Sequence, residues 1–264
     1  MTHKDDSVYV LGSGASLLTL TPEEKEYLQG QTTVAMNKYL LFWHIVGVYP
    51  KWHFLADQHY PALRIMQESY LLTQEMRRPV QWLLHANYRD VFGLDSEQAA
   101  ARAEQVERYK TDYGFGYQPT LRIDPVTYFE RSQDSADIAW AESLDEPMAN
   151  FRGSLSTLIN LLCVLDLGRT IKLLGVDLSS SESFYDAEYL HRRDLHDVYT
   201  RLQLSKPRSM HFTALPWYGK SGIQGQMGTI VSLARAAGHD IVCCNPHSLL
   251  VEQGVCEFAP VLPA

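Results

Sequence analysis

The sequence predicts an α/β fold: a single Rossmann-like domain with a mostly parallel central sheet, flanked by helices and carrying a mobile lid. Three observations lead there. Short apolar runs of strand length recur along the chain and are separated by stretches with helical spacing. The first run, residues 8–11, breaks into Gly12-Ser13-Gly14-Ala15-Ser16-Leu17, a glycine-serine turn at the carboxyl end of a strand. Polar groups able to hold a ligand follow successive runs, and in open α/β sheets the ligand crevice lies at that edge.

The elements follow in chain order. Thr21-Pro22-Glu23-Glu24 starts a helix: a capping threonine, a proline where no N–H is needed, and acids at the positive helix end. Residues 32–36 are a second strand running into Asn37-Lys38-Tyr39. Residues 52–56 are a third, ending at Asp57-Gln58, and residues 80–84 a fourth. Residues 96–110, alanine-rich and charged, are expected to be helical. Residues 111–149, with Gly114, Gly116, Pro119 and Pro125, have no clear period and are expected to be an excursion over the sheet edge that builds an acceptor site. Leu155, Leu158, Ile159, Leu162, Cys163 and Leu165 mark a helix over residues 153–167. It opens at Arg152-Gly153-Ser154, where a helix N-terminus beside an arginine suits an anion; a plain cap by Ser154 beside a solvated Arg152 accounts for the same residues. Residues 170–174 are another strand, ending at Gly175 and Asp177. The polar stretch 178–212 holds Tyr185, Tyr189, His191, Arg192, Arg193, His196, Tyr199 and His211, and its length suits a lid. Residues 221–237 are a helix stopped by Gly238, and residues 240–244 a last strand that runs into Asn245-Pro246-His247-Ser248-Leu249-Leu250. Without repeats or a low-complexity linker, residues 1–264 form one domain with the lid at about 178–212.

Composition narrows the function. The chain has 264 residues, 45% of them hydrophobic, enough for an ordinary core. A net charge of -8 argues against a duplex-binding surface, so no nucleic-acid partner is expected, though a local basic pocket for a phosphate is compatible with it. No apolar run reaches membrane-spanning length, and the first residues lack a signal-peptide core. A cytoplasmic location is expected, with attachment at the face of the inner membrane as its variant. Cys163, Cys243, Cys244 and Cys256 form no C-x-x-C pair, which argues against structural zinc, and the first three read as small core residues. The first turn lacks the spacing G-x-G-x-x-G and the G-K-[ST] ending of a P-loop. The stretch His191 to Asp197 reads as a solvated, charged lid segment rather than a metal cluster, and Trp43, Trp52 and Trp82 as core or interface residues.

Taken together, G-S-G-A-S-L at 12–17, M-N-K-Y at 36–39, L-L-G-V-D at 173–177 and C-N-P-H-S-L-L at 244–250 resemble the CMP-sialic acid-dependent bacterial sialyltransferases. Those enzymes carry, in the same order, a Gly-Asn-Gly-Pro-Ser-Leu turn, Cys-Asn-Gln and Ser-Gly-Ile-Asp strand ends, a lid, a histidine and a Cys-Pro-Asn-Ser-Leu-Leu strand end. The resemblance runs from Val8 to about Gln253. It implies a Rossmann-like, inverting, metal-independent glycosyltransferase that moves an acidic sugar (sialic acid, Kdo or a related nonulosonate) from a CMP-sugar donor to a glycan acceptor, with no further cofactor. By likeness Gly12, Ser13, Gly14 and Ser16 line the nucleotide, and Asn37 contacts the donor. Arg152 and Ser154 face the sugar or its carboxylate, Gly175 and Asp177 hold the cytidine side, and His211 matches the general base. Lys38, Asp57, Tyr185, Asn245 and Ser248 complete the expected substrate-binding set. A homo-oligomer is also implied.

The sequence departs from that family at named positions. Ser13 and Asp57 stand where the family has asparagines. The first of its two phosphate-binding tyrosines falls near Ser179 and the second at Tyr185, leaving Tyr189, Arg192 or Arg193 to compensate. The chemistry suits these residue types. The leaving phosphate needs hydrogen-bond donors, the acceptor hydroxyl needs a base such as histidine, and no D-x-D pair is present to clamp a metal-bound diphosphate. Two other classes share the first turn: a pterin-diphosphokinase-like phosphotransferase using Mg²⁺ and ATP, with Asp57 and Asp177 on the metal, and a non-catalytic nucleotide- or glycan-binding relative. A nicotinamide-dependent dehydrogenase fits less well, because Asn37 stands where a ribose-binding acid belongs.

Overall fold

A computed structural model describes residues 6–57, 60–133, 138–151, 153–179, 182–195 and 222–263. Its centre is an eight-stranded, wholly parallel sheet. In chain order the strands are β1 (Ser7–Leu11), β2 (Thr32–Met36), β3 (Trp52–Leu55), β4 (Gln81–His85), β5 (Val126–Phe129), β6 (Thr170–Leu174), β7 (Asp240–Cys243) and β8 (Glu257–Phe258). Across the sheet they lie β5-β4-β3-β2-β1-β6-β7-β8. The chain winds outward from β1 to β5, then returns to the other side of β1 at β6.

Among the described helices are α1 (Pro22–Gly30), α2 (Trp43–Val46), α3 (Tyr60–Met76), α4 (Ser96–Ala101), α5 (Ala103–Tyr113), α6 (Ser154–Leu165), α7 (Asp186–Tyr189), α8 (Ile223–Ala236) and α9 (Leu249–Glu252). The start of α1 is a reciprocal capping box: Thr21 accepts from the Glu24 N–H, and the Glu24 carboxylate accepts from the Thr21 N–H.

Both faces of the sheet are covered, which is why β1 and β2 are buried at every residue and read as unbroken runs. Alternation along β1 sends Tyr9 and Leu11 into one core with Leu28 of α1 and Leu63 and Met66 of α3. Val8 and Val10 enter the opposite core with Leu158 and Leu162 of α6 and Met227 and Ile230 of α8.

The expected strands and the helices at 22, 154 and 223 are present, and the helix expected over 96–110 is two helices broken at Arg102. Several elements have no counterpart in the expectations, among them the long helix α3 and β5, which converts part of segment 111–149 into an edge strand on β4. The strand expected to be the last, β7, is followed by the two-residue β8, which pairs with it and forms the other edge of the sheet. No helix among the described residues is long and apolar enough to cross a membrane.

Candidate functional site

The winding direction reverses between β1 and β6, and a doubly wound sheet opens its crevice at such a point. Two turns meet there. The Gly12 N–H donates to the Leu174 carbonyl at 2.8 Å and the Gly14 N–H to the Gly175 carbonyl at 2.7 Å. This close approach requires the glycines: a Cβ on Gly12 would stand 2.4 Å from the Gly175 oxygen, and one on Gly14 would stand 2.3 Å from Asp177 Oδ2. Gly175 has φ +64 and lies buried beneath Leu17.

Asp177 ties this edge together. Its carboxylate accepts from the Ser16 N–H at 3.0 Å, the Ser16 hydroxyl at 2.5 Å and Asn245 Nδ2 at 2.8 Å. Its backbone oxygen accepts from the Leu249 N–H, and Ser248 Oγ donates to the Val176 carbonyl at 2.7 Å. The turns that carry Gly12, Gly14, Ser16, Gly175, Asp177, Asn245 and Ser248 are thus hydrogen-bonded together at the ends of β1, β6 and β7, and Ser13 lies within the first of them. A pocket of ≈310 Å³ opens beside it, walled by Ser16, Leu17, Gly175, Cys244 and Asn245 and bounded by the half-exposed Phe258. Cys244 therefore lines a pocket, whereas Cys163 and Cys243 are core residues as expected.

One strand over, β2 is followed by Asn37, whose left-handed φ of 53 turns the chain. The Asn37 N–H donates to the Phe54 carbonyl at 3.0 Å, and its buried Oδ1 has no hydrogen-bond partner among the described residues. Lys38 follows, with Nζ 4.6 Å from the Tyr189 ring centre and 5.8 Å from that of Tyr185. Burial alone would lower the Lys38 pKa. The Tyr185 and Tyr189 hydroxyls, with Asp57 beyond them, outweigh burial and raise it, so the ammonium stays charged.

The tyrosines belong to a strap, residues 182–195. Its start is pinned to the glycine turn, where Phe184 N–H donates to the Ser13 carbonyl at 3.0 Å and Ser183 bridges Gly14. Tyr185 stacks on Phe42, ring centres 5.2 Å apart, and Phe184, Tyr185, Tyr189 and Leu195 are buried. The strap's far end is clasped to α3. Arg192 Nη2 lies 2.5 Å from Glu68 Oε2 and 2.9 Å from Asp194 Oδ2, and Arg64 Nη2 lies 2.8 Å from Asp194 Oδ2. His191 to Leu195 is therefore not simply solvated: Arg192 and Asp194 are spent in an ion-pair network. Among the described residues no three potential metal ligands cluster.

At β3, Asp57 Oδ1 stands 3.6 Å from Arg131 Nη1, and the Asp57 carbonyl accepts from Tyr88 Oη at 2.5 Å. Ser154 opens α6, whose Leu158, Ile159 and Leu162 pack in the core on the face of the sheet opposite α1 and α3. Arg152 and His211 lie outside the described residues, as do residues 180–181 and 196–212 of the expected lid.

Sequence reasoning missed His85, Glu130 and Arg131, which stand at the next two strand ends. His85 closes an apolar run and was open to recognition; Glu130 and Arg131 were hidden because β5 itself carried no periodic signal. Trp82 is buried in the core, while Trp43 and Trp52 pack against it half-buried.

No family model matches this chain, and neither a characterised protein nor a solved structure matches it.

Proposed function

We propose that this chain is an inverting glycosyltransferase that takes an acidic sugar from a CMP-sugar donor and passes it to a glycan acceptor. The observation that carries the reading is Lys38: a charged ammonium beside two tyrosines, one strand from the glycine turn at the switch point. A leaving nucleoside monophosphate needs a cation and hydroxyl donors at that edge, and Lys38, Tyr185 and Tyr189 offer them together. In this reading the bond from the sugar's anomeric carbon to the CMP phosphate breaks as the acceptor oxygen forms its bond to that carbon. The acceptor proton goes to His211, and the phosphate keeps the electron pair. The pocket beside Gly175 has room for part of a nucleoside.

The alternative metal-dependent phosphotransferase needs carboxylates that converge. Asp57 and Asp177 follow β3 and β6, three strand spacings apart, about 14 Å at ~4.8 Å per strand. Asp177 also has direct protein partners already, Ser16 and Asn245.

Calorimetry tests the reading. CMP should bind more tightly than ATP with Mg²⁺, EDTA should leave CMP-sugar turnover intact, and Lys38→Met should weaken CMP binding at least tenfold. Tighter ATP binding, or turnover lost to EDTA and restored by Mg²⁺, would favour the phosphotransferase. CMP binding without turnover of any CMP-sugar would favour the non-catalytic relative.

A further inference from the structure

Beyond Lys38, on the side away from the switch point, the ends of β3, β4 and β5 bring two loose donor–acceptor pairs together. Arg131 Nη1 stands 3.6 Å from Asp57 Oδ1, and His85 Nε2 stands 3.9 Å from Glu130 Oε2. Both gaps exceed a direct hydrogen bond. A hydroxyl that accepts from one group and donates to another holds them about 4–4.5 Å apart, so small side-chain movements fit one into each pair. Access is graded to match: the Glu130 and Asp57 side chains are 61% and 45% exposed, Arg131 27%, and His85 forms the floor at 9%.

The floor is fixed in a donor form. His85 Nδ1 accepts from the Asn87 N–H at 3.2 Å, so the neutral ring carries its proton on Nε2, toward Glu130. Burial and the neighbouring Arg131 lower the His85 pKa against the pull of Glu130 and Asp57, which keeps the ring neutral. Register sets the pairing: His85 lies opposite Phe129 in the β4–β5 ladder, so Glu130 and Arg131 leave the sheet beside it. The charges of Lys38, Arg131, Asp57 and Glu130 balance. With Lys38 given to the leaving phosphate, an anionic ligand would meet two carboxylates against the one cation Arg131, whereas a neutral polyol can use donors and acceptors alike.

We propose that these strand ends form the acceptor subsite, where Asp57 with Arg131 grips one hydroxyl of a neutral sugar ring and His85 with Glu130 grips another. As an acceptor site it rests on the transferase reading; as a sugar site it is testable without it. The expectation that segment 111–149 builds an acceptor site thereby gains particular residues, Glu130 and Arg131.

The test is saturation-transfer NMR on the full chain at pH 7, using methyl β-galactoside, methyl β-glucoside, methyl α-mannoside, N-acetylglucosamine and glucuronate, with CMP calorimetry on the same samples. At least one neutral sugar should bind the wild type, more strongly than glucuronate does. Arg131→Ala and Glu130→Gln should each weaken it at least tenfold and leave CMP affinity within about twofold. Should Arg131→Ala fail to fold, Glu130→Gln, on an exposed side chain, carries the test. The proposal is overturned if no neutral sugar binds the wild type, if the folded variants bind as well as wild type, or if glucuronate binds best. Sugar binding that depends on Glu130, in a protein that ignores CMP, upholds the subsite and removes the transferase reading.

Discussion

Ser16 and Asp177, 161 residues apart in the chain, meet through two hydrogen bonds, from the Ser16 N–H at 3.0 Å and its hydroxyl at 2.5 Å. Asn245 supplies a third. This carboxylate staples the turns after β1, β6 and β7, so its first role is to shape the crevice.

Removing the Asp177 side chain leaves three donors without their acceptor in a partly buried place. Asp177→Ala should lower unfolding free energy by about 2–4 kcal/mol, and Ser16→Ala by about 1 kcal/mol. Urea denaturation checks both. A loss under 1 kcal/mol for Asp177→Ala, with CMP binding abolished, would make Asp177 a ligand contact rather than a staple.

Gly12→Ala drives a methyl group to 2.4 Å from the Gly175 carbonyl oxygen, a backbone atom that cannot yield cheaply. A destabilisation of about 3 kcal/mol is expected. Gly228→Ala on the exposed side of α8, with no described residue within 4 Å of the new methyl, should instead gain up to ~1 kcal/mol. Thermal melts that rank the two alike would contradict the packing account of the first turn.

His53 is fully buried against Trp82, and burial pushes its pKa down to about 3. The unfolded chain then binds a proton that the folded chain refuses between roughly pH 6.5 and pH 3. Stability contributed by this site is present above that window and falls as pH drops through it. The loss from pH 7 to pH 5 should be about 2 kcal/mol, read by urea unfolding at both values. In His53→Leu that increment should shrink; an unchanged pH slope would assign acid sensitivity elsewhere.

The clasp on α3 holds the strap over Lys38. Arg192 is 36% exposed, so solvent screening reduces its contribution to about 1 kcal/mol. Arg192→Ala should speed hydrogen exchange across residues 183–195 roughly fivefold, and added salt should do the same to the wild type. Exchange that ignores both changes would mean the aromatic contacts of Tyr185 and Tyr189 hold the strap alone.

Much of the edge was legible in advance because its signals are local. Asn37 and Gly175 follow apolar runs, and each takes a left-handed backbone that ends its strand. The pairing of Tyr185 with Tyr189 around Lys38 was not legible. Two rings four residues apart in a polar stretch carry no mark of the lysine they meet, 147 and 151 residues earlier in the chain. Segment 111–149 resisted for a different reason. β5 has only four residues, one of them fully buried, so neither alternation nor an apolar run rises above its surroundings.

The sequence by itself determined the fold class, the positions of most strands, and the glycine turn. Burial on both faces of a parallel sheet demands unbroken apolar runs, and tight turns demand glycine, and both requirements act within a few residues. The tertiary structure alone decided which strand ends are neighbours. The reversal at β1 and β6 sets Asp177 against Ser16, and the outward winding sets Arg131 beside Asp57. Those encounters depend on strand order, and strand order is settled by how two whole faces of helices cover one sheet, which no local stretch of chain encodes.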